Sequence, residues 1–390
     1  MKIGFYLGDI KKPESLGELT FELSVVKEIL SRDTNHEFVF YYFGKKGIFK
    51  DTENAKFKSL KYYKKPAIAF SPFNIKFRKA PLFSLNFLLK KDNIDTIFFL
   101  SPYLYEHIEI PYFAIVRDVA HRVLPLFPEF SSNYIFEKKE KRLNSFLTGA
   151  SKIIAANEIA KNDITTLYDV IEENIISIPL PYPLWIEHTK IDNEILTKNN
   201  LSKNNFILYP AQYWAHKNHI RLILATQIMK EQNFNLKVVF TGIDRGNKKY
   251  LLEQVEELDI KENVLFLDYL EENELAALYK NAYALVYPSL AGVDSISALE
   301  AMYFNCPVLI ADNAGYNLQL KSCALYFNPL DENDIIDKVN MLSDIALRDD
   351  LIAKGSALIK ESTCSKYVDR ISNIADDFYL MRQCWAHWGE

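Results

Sequence analysis

The segment from Leu285 to Asp312 constrains the fold most strongly, because its sequence, LVYPSLAGVDSISALEAMYFNCPVLIAD, holds two apolar strands separated by a helix. The pattern predicts a strand over 285–287 and, after a glycine-bearing turn, a helix over 296–304. Asn305 and Pro307 end that helix before the second strand. Strands joined through a helix run parallel, and a helix that begins just beyond a parallel strand presents free amides to phosphate. The segment therefore predicts a nucleotide-binding α/β sheet.

The same alternation of strands and helices runs along the chain and restarts once. Apolar runs predict strands near 2–7, 38–43, 96–100, 113–116 and 152–156 in the first half, and near 206–210, 236–241, 263–267, 283–287 and 307–310 in the second. At 390 residues the chain also exceeds the usual size of one core. We therefore expect an α/β fold of two Rossmann-like, doubly wound domains that face a cleft, over 1–180 and 206–364, with a polar, proline-bearing linker over 181–205.

Composition excludes several classes of protein. The chain is 49% hydrophobic with a formal charge of -5, which argues against disorder and against nucleic acid as a partner. Neither a zinc site nor a disulfide framework is indicated, because no CxxC spacing joins the four cysteines, Cys306, Cys323, Cys364 and Cys384. The amino terminus reaches Asp9 before any signal-peptide core, and no apolar run attains the roughly 18 residues of a membrane span. These features predict a cytoplasmic protein with reduced thiols.

The helix of the opening segment carries Glu300 within a pattern, PS…LEAM…PV, that resembles the group 1 family of retaining, nucleotide-sugar-dependent glycosyltransferases (family 4 of the carbohydrate-enzyme classification). Other stretches fall in the family's order: ILYPAQYWAHKNH from 207, VVFTG from 238, ELAALYKNA from 274 and ALYFNPLD from 324. The stretch RDVAHRVLPLFPEFSS from 117 is similar to a subgroup found in bacterial surface-polysaccharide gene clusters. The resemblance covers roughly 110–345 and implies GT-B architecture, with a last helix over 365–390 that crosses back onto the first domain.

The resemblance assigns the nucleotide-sugar donor to the second domain. It implies that Glu300 binds the ribose and that Lys217 stabilises the diphosphate leaving group; a solvated loop lysine is the plain alternative for Lys217. Backbone around Leu267 is implied to lie beside the nucleobase, while Thr241 and Gly242 flank the phosphates. Because no DxD motif is present, neither an obligatory metal ion nor another cofactor is predicted.

Several positions near the implied donor depart from the family's pattern. Gln212 stands where an arginine is usual, Gly292 where a glutamate is common, and Leu318 where many relatives carry an acid. Gly292 either lets the loop backbone approach the donor or is a plain turn glycine. Asp294 and Ser295 either cap the following helix or contact the donor in place of the missing groups. The candidate donor-binding residues are Gly17, Gln212, Thr241, Gly242, Leu267, Gly292, Asp294, Ser295, Ile296 and Glu300.

The first domain offers fewer candidates. Gly17 opens a helix where the family's glycine loop approaches donor and acceptor, and Arg117 replaces the family's sugar-binding histidine. Asp118 and His121 are candidates for orienting the sugar or the acceptor hydroxyl, unless Asp118 merely stabilises a loop with Arg122. Retention is implied to proceed by front-face attack with the leaving phosphate as base, so no protein general base is required. The candidate catalytic residues are Asp118, His121, Lys217 and Glu300.

The segment 56–91 is the other distinctive region, with ten Lys or Arg, eight Phe or Tyr and no acid. Cations interleaved with aromatic rings suit peripheral docking on an anionic membrane leaflet, where a lipid-linked acceptor would be met. The alternatives are a helix and loop with core aromatics and solvated lysines, or single-stranded nucleic-acid binding, which the acidic remainder disfavours.

Together these features predict a hexosyltransferase that moves a sugar from a nucleotide-diphosphate sugar to a lipid-linked or oligosaccharide acceptor in O-antigen, capsule or lipooligosaccharide biosynthesis. It is expected in the cytoplasm, at the inner face of the cytoplasmic membrane. The departures at Gln212, Gly292 and Leu318 keep open a non-catalytic, glycan-binding scaffold with the same fold. A nucleotide-sugar epimerase of the same architecture is a further alternative, although it needs more acidic groups at the sugar.

Overall fold

A computed structural model of the chain describes residues 1–10, 16–45, 49–60, 62–67, 76–81, 84–101 and 107–385. Two parallel sheets lie within these residues, and each is the centre of its own apolar core. Both sheets begin with the strand order 3-2-1-4, counting the strands of each by position in the chain, as in doubly wound nucleotide-binding folds. The predicted α/β class, with two Rossmann-like domains, is therefore confirmed.

The first sheet is parallel and has the order β3-β2-β1-β6-β7-β8-β9. Its strands are β1 (Lys2–Asp9), β2 (Glu37–Phe43), β3 (Ala55–Leu60), β6 (Thr96–Phe99), β7 (Tyr112–Val116), β8 (Lys152–Ala155) and β9 (Ile175–Ser177). Aromatic rings stack across the central strands: Phe5 lies 5.2 Å from Phe40 and 5.3 Å from Phe98, centroid to centroid. These strands read as continuous apolar runs because helices cover both faces of the sheet.

Among the described residues, an antiparallel hairpin and the helices α1 to α6 also belong to the first domain. The hairpin consists of β4 (Tyr62–Ala67) and β5 (Lys76–Pro81). The helices are α1 (Leu16–Leu30), α2 (Leu85–Lys91), α3 (Ala120–Val123), α4 (Pro128–Ser131), α5 (Ile135–Thr148) and α6 (Glu158–Leu167). The basic segment 56–91 thus contains a strand, a hairpin and a helix, although 61, 68–75 and 82–83 lie outside the described residues.

The second sheet has the order β12-β11-β10-β13-β14-β15 and is also parallel. Its strands are β10 (Phe206–Pro210), β11 (Lys237–Thr241), β12 (Val264–Leu267), β13 (Ala284–Tyr287), β14 (Val308–Ala311) and β15 (Leu325–Phe327). The helices of this half are α7 (Trp185–His188), α8 (Glu194–Lys198), α9 (His219–Glu231), α10 (Lys248–Glu257), α11 (Glu272–Asn281), α12 (Ile296–Tyr303), α13 (Ala314–Leu320), α14 (Glu332–Met341) and α15 (Ile345–Glu361). The predicted strand–helix–strand segment corresponds to β13, α12 and β14.

The segment predicted as a linker, 181–205, packs against the second domain. It contains the short helices α7 and α8, and the side chains of Tyr182, Trp185 and Leu196 are buried in the second core. The sequence does not indicate this packing, because the apolar side chains that make it are spaced irregularly among prolines and polar residues.

The last helix, α16 (Cys364–Arg382), returns to the first domain. Its Tyr367 packs edge-on against Phe21 at 5.3 Å, and Nε of Arg382 donates to the carboxylate of Asp95 at 3.0 Å. The chain therefore crosses between the two domains twice within the described residues, once before α7 and once before α16.

The two domains meet at the carboxyl ends of their strands. Nδ2 of Asn157, which follows β8, donates to the carbonyl of Val293 in the loop after β13 at 2.6 Å. Val293 itself is buried in the first core, and Oγ of Ser24 accepts from the backbone of Leu184 at 3.0 Å. A cleft between two such sheet edges is where doubly wound folds bind ligands.

Candidate functional site

An open pocket of about 930 Å³ lies at the carboxyl ends of β10, β11 and β12. We call it the donor pocket. Thr20 of α1 in the first domain also contributes to its wall. The pocket brings together five of the predicted donor-binding residues, which are separated by up to 88 positions in sequence: Gln212, Thr241, Gly242, Ile296 and Glu300.

Glu300 lines the donor pocket from α12 and is 9% exposed. Oη of Tyr279 donates to its Oε2 at 2.7 Å, and Nε1 of Trp185 donates to its Oε1 at 3.3 Å. Burial raises the pKa of Glu300 to about 7, although the hydrogen bonds from Tyr279 and Trp185 act to lower it. A carboxylate held in this way is oriented before a ligand arrives, and further hydroxyl donors would favour its charged form. Trp185 and Tyr279 were not predicted as site residues, because neither lies near Glu300 in sequence.

The backbone passes closely behind the donor pocket at Gly242. A Cβ added to Gly242 would lie 2.3 Å from the carbonyl oxygen of Ala211, so only glycine fits without moving the chain. Thr241 is buried, and its hydroxyl donates to the carbonyl of Asp268 at 2.7 Å. Thr241 thus fixes the strand end rather than offering its hydroxyl to a phosphate.

Gln212, which stands at the family's usual arginine position, has two neighbours that supply hydrogen bonds. Its Oε1 accepts from Nε1 of Trp214 at 2.9 Å and from Nε of Arg245 at 3.1 Å. Arg245 follows β11, and its guanidinium also lies over the Trp214 ring at 5.5 Å. A cation therefore lies beside the donor pocket although the expected arginine is missing from the sequence motif.

Lys217 ends a short 3-10 turn between β10 and α9. Its Nζ donates to Oη of Tyr287 at 2.9 Å and lies 5.2 Å from the centre of that ring. Oη of Tyr209 donates to its backbone carbonyl at 2.7 Å, and the following residue, Asn218, has a left-handed φ of 56°. The loop is thus held by partly buried hydrogen bonds, which orient the ammonium toward the end of β13.

Ser295 and Asp294 have different roles at the start of α12. Oγ of Ser295 accepts from the backbone of Ala298 at 3.2 Å, so the serine is the helix cap. Oδ2 of Asp294 is buried and has no hydrogen-bond partner among the described residues. Burial raises the pKa of Asp294 to about 6, while the charges of Arg117 and Lys217 oppose that rise. Asp294 therefore retains a buried acceptor that no described residue satisfies.

Gly292 has a φ of 117°, which favours glycine. A Cβ at this position would approach Oη of Tyr316 to 3.1 Å. The tyrosine hydroxyl donates to the carbonyl of Ala291 at 2.9 Å and so closes the space that a longer side chain would need. The Tyr316 side chain therefore occupies the space that a glutamate at position 292 would need.

The first-domain residues surround a second cavity, of about 640 Å³, at the ends of β6 and β7. Ser101, Arg117, Asp118, His121 and Lys139 lie on its wall. Asp118 raises the pKa of Asp294, so the two acids lie within electrostatic range of each other across the cleft. We call Arg117, Asp118, Lys217 and Asp294 the cleft centre.

His121, a candidate for orienting the sugar or the acceptor hydroxyl, lies on the wall of this cavity and is held by a carboxylate. It is 3% exposed, and its Nε2 lies 2.7 Å from Oε1 of Glu140, which also accepts from Oη of Tyr168 at 2.7 Å. Burial lowers the pKa of His121 despite that carboxylate. The imidazole thus supports the cavity wall, whereas Oδ1 of Asp118 accepts from the backbone N–H of Ala120 at 2.9 Å.

The remaining predicted residues lie at the margins. Gly17 is in the first turn of α1, and Leu318 is 41% exposed on α13. The carbonyl of Leu267 accepts from Oη of Tyr213 at 3.2 Å, and the pocket wall beyond β12 consists of Tyr269 and Leu270 instead. Within the described part of the chain, no cluster of three or more His, Cys, Asp or Glu side chains has a metal-binding arrangement, and no helix is long and apolar enough to cross a membrane.

Two facing parallel-sheet domains, a pocket across the strand ends of the second and a C-terminal helix that returns to the first define the GT-B class of fold. Residues 192–356 match the model of the family described as glycosyl transferases group 1. The predicted resemblance to that family is therefore confirmed.

Individual proteins share these features. The O-antigen chain mannosyltransferase RfbU of Salmonella typhimurium is 35% identical over 149 residues, which are 37% of this chain and 41% of that protein. The matching stretch thus spans well under two thirds of this relative. Among solved structures, WaaG, a glycosyltransferase involved in lipopolysaccharide biosynthesis, has a TM-score of 0.69 at 15% identity and covers 95% of this chain and 99% of its own. Anabaena Alr3699/HepE in complex with UDP-glucose has a TM-score of 0.68 at 15% identity and covers 97% and 100%.

Proposed function

We propose that the protein is a retaining glycosyltransferase that moves a sugar from a nucleotide-diphosphate sugar to a glycan or lipid-linked acceptor. The observation that carries this proposal is the position of Glu300, an oriented acid in a pocket whose other walls are strand ends and glycine backbone. An acid in that position suits the two adjacent hydroxyls of a ribose, while the strand ends and a helix start suit phosphate.

The leaving group determines the chemistry that the site must perform. When the bond between sugar and diphosphate breaks, negative charge develops on the phosphate oxygens, and a cation near them lowers the barrier. Lys217 fits this role because its ammonium is held at the end of β13, and Arg245 adds a second cation beside the pocket. The phosphate released on the same face is the proposed base for the acceptor hydroxyl, which retains the anomeric configuration.

The transferred sugar is proposed to occupy the cleft centre. The unpartnered oxygen of Asp294 accepts a sugar hydroxyl in this proposal, in place of the side chain that Gly292 lacks. Asp118 approaches the same space from the first domain, and the adjoining 640 Å³ cavity receives the acceptor. A buried polar group without a partner is costly unless a ligand satisfies it, which supports a sugar hydroxyl at this position.

The names of the relatives support a surface glycan as the product. RfbU is an O-antigen chain mannosyltransferase and WaaG is involved in lipopolysaccharide biosynthesis, so we propose O-antigen, capsule or lipooligosaccharide assembly for this protein. A lipid-linked acceptor would require contact with the inner face of the cytoplasmic membrane. Within 56–91, Phe87 is 56% exposed on α2 and lies on the same helix as Lys90 and Lys91, which supports that contact.

Nucleotide binding provides the first test. Purified protein is heated with UDP, GDP, ADP or CMP, and the same panel is repeated with Glu300→Ala. We expect one nucleotide to raise the melting temperature of the wild type but not of the variant. If no nucleotide shifts the wild type, the donor pocket is misassigned and the proposed function fails.

The non-catalytic scaffold remains the second candidate, favoured by the closed space at Gly292 and by Gln212 in place of arginine. It predicts nucleotide stabilisation without any transfer or hydrolysis of the matching nucleotide sugar. Hydrolysis of that nucleotide sugar, detected as released nucleotide, would exclude the scaffold.

A further inference from the structure

A short helix of the first domain reaches across the cleft to the loop that carries Lys217. The helix is α4, within the stretch LPLFPEFSS from 124 to 132, and its Glu129 has a side chain only 4% exposed. Carboxylates are rarely buried to this extent without partners. The partners of Glu129 therefore indicate what the helix does.

Both partners belong to one residue of the second domain. Oε1 of Glu129 accepts from the backbone N–H of His216 at 2.8 Å and lies 2.5 Å from Nδ1 of the same residue. The imidazole also stacks on Phe130, with centroids 5.1 Å apart and planes inclined by 25°. Burial lowers the pKa of His216, and the hydrogen bonds from His216 lower the pKa of Glu129 although burial opposes them. The pair is thus a neutral imidazole that donates to a carboxylate.

His216 connects this contact to both functional loops of the second domain. It immediately precedes Lys217, and its carbonyl accepts from the backbone of Leu290 at 2.9 Å. Leu290 lies in the loop after β13 that contains Gly292 and Asp294. A single first-domain carboxylate therefore holds the backbone between the proposed phosphate lysine and the proposed sugar-binding loop.

We infer that Glu129 is a positioning residue, which clamps His216 when the domains close and thereby sets Lys217 at the leaving phosphate. This inference rests on the proposed function. Glu129 itself touches no substrate; it makes correct placement of Lys217 conditional on contact between the two domains. A polar clamp suits a contact that must open for product release, because water satisfies both groups after separation.

The first experiment compares Glu129→Ala with Glu137→Ala, the removal of an exposed acid from α5 in the same domain. Turnover is followed as nucleotide release from the nucleotide sugar identified by the binding screen. Because a misplaced catalytic group costs up to about a hundredfold, we expect Glu129→Ala to lower kcat at least tenfold. The affinity for free nucleotide should change less than about threefold, because its pocket belongs mainly to the second domain. Glu137→Ala should match the wild type in both measurements.

A second experiment separates positioning from general damage. If Glu129 acts through Lys217, its removal should slow the Lys217→Ala enzyme by less than about twofold, since coupled residues are not additive. A Glu129→Ala effect that is as large in Lys217→Ala as in the wild type would overturn the inference. So would wild-type kcat in Glu129→Ala.

Solution scattering provides a readout that does not depend on activity. Loss of the clamp should increase the radius of gyration of Glu129→Ala relative to both the wild type and Glu137→Ala. If the wild type binds no nucleotide, the proposed function fails by itself, and an unchanged radius of gyration then removes the clamp as well. A larger radius in Glu129→Ala would support the clamp as an interdomain contact even in that case.

Discussion

The donor pocket and the cleft centre each contain an acid whose pKa is raised by burial, but the two acids differ in their hydrogen-bond partners. Glu300 receives hydrogen bonds from Tyr279 and Trp185, so its geometry is complete before any ligand binds. Asp294 lies within electrostatic range of Arg117, Asp118 and Lys217, yet its buried Oδ2 has no partner among the described residues. In the proposed function, the nucleotide end of the site is therefore preorganised, whereas the sugar end is completed by the ligand and by domain closure.

This contrast predicts that damage at the cleft centre affects rate, whereas damage at the donor pocket affects binding. The largest effect is expected for Lys217→Ala. Loss of a group that stabilises developing charge typically costs about 10²–10³ in kcat, and we expect a decrease of that size. Lys217→Arg, which keeps the positive charge, should recover part of it. Steady-state kinetics with the nucleotide sugar provide the measurement. A change in KM alone for Lys217→Ala would contradict a role of the cleft centre in the rate.

The stability of the donor pocket should depend on pH through Glu300. Its pKa is about 7 in the folded protein, above the ordinary value of 4.5, so the folded state holds this proton more tightly than the unfolded chain. The carboxyl therefore does not reduce the free energy of unfolding below pH 4.5, and it reduces that free energy increasingly as pH rises to 7. We expect Glu300→Gln to be more stable than the wild type above pH 7, by up to about 3 kcal/mol, with no gain near pH 4.5.

Urea unfolding at pH 4.5, 6 and 8 measures the difference in unfolding free energy between Glu300→Gln and the wild type. A difference between Glu300→Gln and the wild type that is equal at all three pH values would show that Glu300 does not titrate in this range. Glu137→Gln, at an exposed position, is the control for loss of a surface charge and should have little effect at any pH.

Asp294→Asn tests the other acid. If its carboxylate accepts a sugar hydroxyl, the amide should lower kcat/KM for the nucleotide sugar by about thirtyfold, since hydrogen bonds to charged groups contribute roughly 1.5–3 kcal/mol. Affinity for the free nucleotide should stay within about threefold, because the nucleotide makes no contact with Asp294 in this proposal. Asp268→Asn, at a side chain 88% exposed near the pocket, is the matched control. Equal losses for free nucleotide and nucleotide sugar would assign Asp294 to the nucleotide instead.

The smallest effect is a pH-dependent change in nucleotide affinity. Ribose hydroxyls that donate to Glu300 favour its charged form, so binding should strengthen as pH rises from about 6 to 8. Glu300→Gln should bind about tenfold more weakly at pH 8 and approach the wild type at pH 6. The ligand's own phosphate titrates equally with both proteins, so the difference between their calorimetric titrations isolates Glu300. Parallel pH profiles would exclude a ribose contact by this residue.

The sequence was most informative where one short segment carries both the fold and the site. The run from Leu285 to Asp312 predicted β13, α12 and β14, and the predicted strand 206–210 coincides with β10. These predictions succeed because apolar periodicity and helix-ending residues act locally, within a few positions. The hairpin of β4 and β5 was not predicted, because basic and aromatic residues dominate 56–91 and obscure the alternation of a strand.

Pairings over long separations were decided by the tertiary structure alone. Trp185 lies 115 positions from Glu300 and Glu129 lies 87 from His216, so no local pattern indicates either contact. The contact between His121 and Glu140 was hidden for the same reason, because the two residues lie 19 positions apart.

By itself, the sequence determined two doubly wound sheets and the loops that end their strands, because hydrophobic spacing and turn residues specify secondary structure and its order. It also identified five of the fifteen residues that line the donor pocket, since parallel strands bring their carboxyl ends to one edge. Only the tertiary structure decided which acids are satisfied and which are left open. Burial and hydrogen bonding depend on side chains that meet from both domains, and these set the different states of Glu300 and Asp294.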